Sequence, residues 1–106
     1  MNKEELYNLA FQLILHAGNA RSLAMEAMQK AKEGSFDEAE AKLTEADSAF
    51  NEAHHFQTDL IQKEAGGAKF ELSLIIVHAQ DHLMNAMTIK DLAGEIIDLH
   101  KLIKKA

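Results

Sequence analysis

Two histidines spaced four residues apart, His78 and His82, stand in the segment Val77-His-Ala-Gln-Asp-His-Leu-Met-Asn85. On a helix that spacing puts both imidazoles on one stripe, one turn apart. Asp81 falls about 60° from His78, on the neighbouring stripe Leu74, Val77, Asp81, Asn85, Thr88 and Leu92. Neutral imidazole is a nucleophile that can take up a phosphoryl group and pass it on. A second imidazole one turn away could donate a hydrogen bond to the phosphoryl oxygens. The same spacing suits a zinc helix, but Ala79 stands where the general-base Glu of the metalloprotease motif belongs, and no third ligand follows at an evident spacing. Two plainer readings remain: a partly exposed pair near an oligomer seam with Asp81 bonded locally, or a structural helical adaptor. From these residues alone all four stay open.

The remaining histidines offer less. His54 and His55 are adjacent, so they point about 100° apart and cannot chelate one ion together. His16 is expected to be partly buried, and His100 to lie in a solvated C-terminal turn beside Lys101. With no Cys among the 106 residues there is no disulfide framework, thiolate site or cysteine nucleophile. Lys+Arg 11 against Asp+Glu 17 leaves a formal charge of −6, which argues against nucleic acid as a partner. The charged opening MNKEELYNLA is unlike a signal peptide, and no apolar run reaches about 18 residues. A cytoplasmic protein without membrane insertion is the expectation.

The elements that must hold these residues are helices. Hydrophobic residues make up 47% of the chain but aromatics only 6%, and Pro is absent, so the apolar content is chiefly helix-forming Ala, Leu, Ile and Met. Leu6, Leu9, Leu13, Ala17, Ala20, Ala24, Ala27 and Ala31 recur in three- and four-residue steps, predicting a helix over about 3–32. Gly34 is a natural left-handed stop, and Ser35-Phe-Asp-Glu38 reads as a capping box. Phe36, Ala39, Leu43, Ala46, Phe50, Ala53, Gln57 and Leu60 then step 3-4-3-4-3-4-3 through a second helix, about 36–64, with only Gln57 breaking the apolar run. Gly66 and Gly67 end it, and a third helix is expected over about 70–104.

That third helix is apolar nearly all round between Leu72 and Ala79. Leu72, Ile76, Ala79 and Leu83 are expected to face the chain's own core. Two partner helices can cover only part of the remaining surface, so self-association with this helix innermost is the simplest remedy. The short breaks favour antiparallel neighbours. The fold expected is one all-α domain over 1–106, an antiparallel three-helix hairpin that oligomerises.

The segment Val77-His-Ala-Gln-Asp-His-Leu-Met84 resembles the phosphorylation-site motif of the lactose/cellobiose/chitobiose-class IIA components of the bacterial sugar phosphotransferase system. The resemblance runs over nearly the whole chain: Ala17-Gly-Asn-Ala-Arg-Ser22 is similar to the family's first helix, and Asn51-Glu-Ala-His54 with Gln57-Thr58 to its second. It implies a phosphohistidine carrier within a phosphotransferase system, with no sugar pocket of its own. His78 matches the histidine that accepts a phosphoryl group from the phosphocarrier protein HPr and passes it to a cysteine of the IIB component. His82 matches the second histidine, beside the phosphoryl group, and Gln80 the intervening glutamine, a neutral donor near the site. Asp81 matches the aspartate that converges at the threefold axis of family trimers and can bind a divalent cation such as Mg²⁺. A homotrimer of nine helices follows from the same resemblance. Ala79 stands where some lactose-type members carry Gly, which leans toward cellobiose or chitobiose. Ile75, Met84, Met87 and Ile89 could form an apolar rim for the partners, Met being adaptable to more than one.

Overall fold

The computed structural model describes residues 2–105. Three helices follow one another, α1 (Lys3–Lys32), α2 (Phe36–Ala65) and α3 (Leu74–Lys105), with no strand among the described residues. They form a rod of 56 × 20 × 19 Å, of which helices of about 30 residues at 1.5 Å per residue account for about 45 Å. Ion pairs show the path of the chain. Lys42 reaches Glu26 at 3.2 Å, so α1 and α2 run antiparallel; Lys101 reaches Glu40 at 2.7 Å and Lys90 reaches Asp47 at 3.1 Å, so α3 turns back along α2.

Alanine dominates the interior. Ala17, Ala20, Ala24, Ala27 and Ala31 of α1 meet Ala39, Ala46 and Ala53 of α2 and Ala79, Ala86 and Ala93 of α3, all buried. Alanine loses no side-chain entropy in a helix and leaves neighbouring backbones room to approach. Leu6, Leu13, Leu60, Ile76 and Leu83 fill the core at the end that carries the histidine pair. On α2 the seam splits by register: Ala39, Ala46, Ala53 and Leu60 are buried, while Phe36, Leu43, Phe50 and Gln57 are half-buried.

Both turns use the same device. Gly34 (φ +84°) and Gly67 (φ +104°) are left-handed, and in each case the next residue donates back to the helix: Ser35 N–H to Lys30 at 2.9 Å, Ala68 N–H to Lys63 at 3.0 Å. The capping box expected at Ser35 does not form. Its backbone (φ −89°, ψ 71°) leaves the hydroxyl without a cap bond, and Glu38 turns instead to Lys30 at 3.3 Å. Helix α3 begins four residues later than the apolar pattern suggests. Ser73 ends an extended link there, accepting from Ile76 N–H at 3.4 Å and from Val77 N–H at 3.2 Å. Leu72 therefore lies before the helix and is 86% exposed, outside the core to which its spacing would assign it, whereas Ile76, Ala79 and Leu83 are buried as expected.

The other face of α3 stays open. Leu74, Val77, Leu92, Leu99 and Leu102 are exposed along it, and Phe11 and Leu15 are exposed on α1. This apolar surface is what the composition of the third helix implies for one chain with only two partner helices.

Candidate functional site

The site is built on the first two turns of α3. Ile76, Ala79 and Leu83 anchor one side of those turns in the core, which turns His78 toward solvent and leaves His82 half-buried. Their rings lie edge to face, centroids 4.3 Å apart and planes 83° apart. The Nε2 atoms are 3.0 Å from one another. Hydrogen-bond chemistry then requires one ring to donate through Nε2 and the other to accept. The pair sits on the outer surface of α3, His78 exposed and His82 half-buried. A groove of about 320 Å³ at the start of α1, lined by residues such as Leu6, Tyr7 and Phe70, does not include it.

Asp81 is exposed on the neighbouring stripe, its Oδ1 accepting from Asn85 Nδ2 at 3.1 Å. Among the described residues no group of three His, Cys, Asp or Glu side chains could hold a metal ion. One chain thus offers one aspartate, and a cation site at Asp81 requires further copies. Its carboxylate oxygens are the donor type that a hard divalent cation takes.

Gln80 is not brought to the pair within one chain. Two residues from each histidine, it faces the α2 side, where its Oε1 accepts from Gln57 Nε2 at 2.7 Å in a half-buried setting. The sequence marks Gln57 only as a break in an apolar seam; its partner lies 23 residues away and becomes visible once α2 and α3 are in register. Of the expected rim, Met84 is exposed, while Ile75 and Ile89 are half-buried against the core. His16 stacks on Phe56 at 5.5 Å and His54 on Phe50 at 5.9 Å. His55 is exposed. None of these joins the pair.

A three-helix chain with a histidine pair at the surface of its last helix defines a class that comparison identifies. The family described as "PTS system, Lactose/Cellobiose specific IIA subunit" matches residues 8–101, and the chain belongs to it. The chain is 58% identical over 100 residues to the lichenan-specific phosphotransferase enzyme IIA component of Bacillus subtilis, covering 94% of this chain and 91% of that one. The crystal structure of the cellobiose-specific enzyme IIA from Bacillus anthracis superposes with a TM-score of 0.93 at 56% identity, covering 99% of this chain and 94% of that one. The IIA of the N,N'-diacetylchitobiose branch of the Escherichia coli phosphotransferase system, solved in complex with HPr, superposes with a TM-score of 0.81 at 42% identity, covering 98% of this chain and 99% of that one. No helix among the described residues is long and apolar enough to cross a membrane.

Proposed function

We propose that this IIA component is a phosphohistidine carrier for uptake of a β-disaccharide, accepting a phosphoryl group from HPr on His78 and passing it to a cysteine of the IIB component. The observation that carries this reading is the exposed His78 with His82 Nε2 at 3.0 Å. With His82 donating, the His78 Nε2 lone pair faces a ready-made donor, and the ring hydrogen of His78 sits on Nδ1. Attack forms the Nε2–P bond as the bond to the HPr donor breaks, and the His82 N–H moves from the nitrogen to a phosphoryl oxygen. In the second step an S–P bond forms as the N–P bond breaks, and the thiol proton leaves to solvent. Phosphoryl transfer needs chiefly positioning and charge stabilisation. An exposed His78 lets two different proteins reach the same residue in turn. The HPr complex of the Escherichia coli relative supports HPr as the donor, and the lichenan and cellobiose names of the relatives support a β-linked sugar.

The working form in this reading is a cytoplasmic homotrimer of nine helices, its α3 helices innermost, so that the exposed leucines of α3 are covered by copies of themselves. Three Asp81 carboxylates would then hold a divalent cation such as Mg²⁺, whose role is to neutralise their charge. Gln80, its carbonyl engaged by Gln57, keeps its amide N–H groups for a neutral donor role.

Incubation with phosphoenolpyruvate, Enzyme I and HPr tests the reading. The expected product carries one acid-labile, base-stable phosphate per chain. Absence of label, or an acid-stable label, overturns it and leaves a helical interaction module without transfer chemistry.

A further inference from the structure

The turn that carries the histidine pair sits at a weakly built helix start. His78 is the fifth residue of α3. The cap ahead of it is a single long bond, 3.4 Å from Ile76 N–H to Ser73 Oγ, and the first turn holds no acidic residue to meet the positive helix end. The flanking Leu72 and Leu74 are each 86% exposed, so the chain's own core does not pack them there. Helix ends of this kind open locally at low cost. Among the described residues three polar ties join α2 to α3. Lys101–Glu40 and Lys90–Asp47 are ion pairs farther along the rod, and Gln57–Gln80 alone lies at the level of the histidines. It is neutral, half-buried and short at 2.7 Å. It also interrupts a seam that an apolar side chain at position 57 would complete.

We propose that Gln57 of α2 is a positioning residue for phosphoryl transfer. Its bond to Gln80 pins the start of α3 in rotation and register, so that His78 and His82 keep their Nε2–Nε2 geometry. The inference rests on His78 being the phosphoryl acceptor. Gln80 lies midway between the two histidines on the opposite side of the same turn. Holding it fixes the angle at which both imidazoles leave the helix. Loosening of that turn between the two histidines would carry His82 away from the phosphoryl oxygens while leaving the Ala-lined core unchanged.

Two variants separate the bond from the packing. Gln57→Met keeps length and bulk and removes the hydrogen bond. Gln57→Glu keeps an acceptor, to which Gln80 can donate by turning its amide. With HPr as donor, Gln57→Met is expected to lower kcat about three- to tenfold, the worth of one hydrogen bond. KM for HPr should hold, and the melting temperature should stay level or rise. Amide exchange over residues 76–82 should quicken in the same variant, and Gln57→Glu should restore both rate and protection toward those of the starting protein. Unchanged exchange in Gln57→Met overturns the inference whether or not the protein carries phosphate, so its failure is distinct from that of the carrier reading. A Gln57→Glu variant as slow as Gln57→Met, or a rate that falls only in step with the melting temperature, also overturns it.

Discussion

His82 Nε2 lies 3.0 Å from His78 Nε2 across two rings that meet edge to face. Only one of the two nitrogens can carry the hydrogen in that contact, so the pair is asymmetric by construction: one ring presents a lone pair, the other an N–H. His78 is the exposed member and His82 the half-buried one, so His78 is the more accessible to an approaching protein. In the proposed carrier, nucleophile and donor are thereby divided between two residues of the same type.

Replacing each ring in turn separates the roles. His78→Ala should end phosphoryl acceptance and leave the helical fold intact, because the side chain is exposed. His82→Ala should slow transfer on the order of tenfold, since it removes one donor from a partly wet site. Rapid-quench phosphorylation from HPr, with circular dichroism on each variant, reads both. Stoichiometric labelling of His78→Ala would move the acceptor elsewhere, and an unchanged rate in His82→Ala would remove His82 from the site.

The open face of α3 gives a second expectation. Leu99 is 56% exposed in one chain, so Leu99→Lys should leave the isolated chain folded. In an assembly centred on α3 the change deletes about 2 kcal/mol of burial per chain and places a charge there. Sedimentation should show dissociation to single chains. Asp98→Lys, at an exposed polar position one residue away, should leave assembly intact. Equal sedimentation of the two variants would place the interface on another face.

Local spacing made part of this molecule readable. The line from Leu6 to Ala31 is buried except for half-buried Leu9, since periodicity depends only on helix geometry. The histidine pairing is legible for the same reason, being an i, i+4 relation within one helix. The start of α3 was not, because Phe70 and Leu72 continue the apolar pattern although Phe70 meets the core from outside the helix and Leu72 is exposed, and Ser73 offers its hydroxyl to Ile76 instead. Ser35 misleads in the opposite sense: the residue type is a good cap, but the chain leaves left-handed Gly34 at an angle that carries the hydroxyl away. Gln57 and Gln80 could not be paired from sequence, since their contact depends on how α2 is laid against α3.

Lys90 carries the pH prediction. Burial works against its charge, but hydrogen bonds to Asp47 and Asp91 outweigh that, so it holds its proton above the ordinary 10.5. A lysine raised in this way stabilises the fold fully below its unfolded value and ceases to do so as pH rises through the folded one. Between pH 7 and about 9 the group should therefore leave the melting temperature level, and above about pH 10.5 the melting temperature should drop. Lys90→Met keeps the contact with the Phe50 ring, over which the ammonium now sits at 5.2 Å, and removes the titration. The alkaline drop should be shallower in that variant. It should not vanish, because Lys30 and Lys101 are raised by Glu38 and Glu40 in the same sense. Parallel alkaline profiles for the two proteins would mean that Lys90 does not tie α3 to α2.

Asp81 decides how the assembly is held. In one chain its carboxylate is exposed and engaged by Asn85, and no in-chain set of ligands surrounds it among the described residues. If three copies meet along Leu74, Val77 and Asp81, three carboxylates converge and repel one another unless a cation neutralises them. Near neutral pH a chelator should then lower the melting temperature of the oligomer, and added Mg²⁺ should restore it. Because the cation binds the ionised form, its contribution should fade as the pH is lowered. Asp81→Leu should abolish the response to both and melt higher than the starting protein, since apolar packing replaces a buried charged cluster at a gain. A carboxylate bonded locally in a solvated cleft predicts no chelator response in the starting protein and no gain in the variant. Thermal melts and sedimentation of both proteins, with and without chelator, discriminate the two. Equal chelator shifts in the starting protein and Asp81→Leu would place any cation away from Asp81.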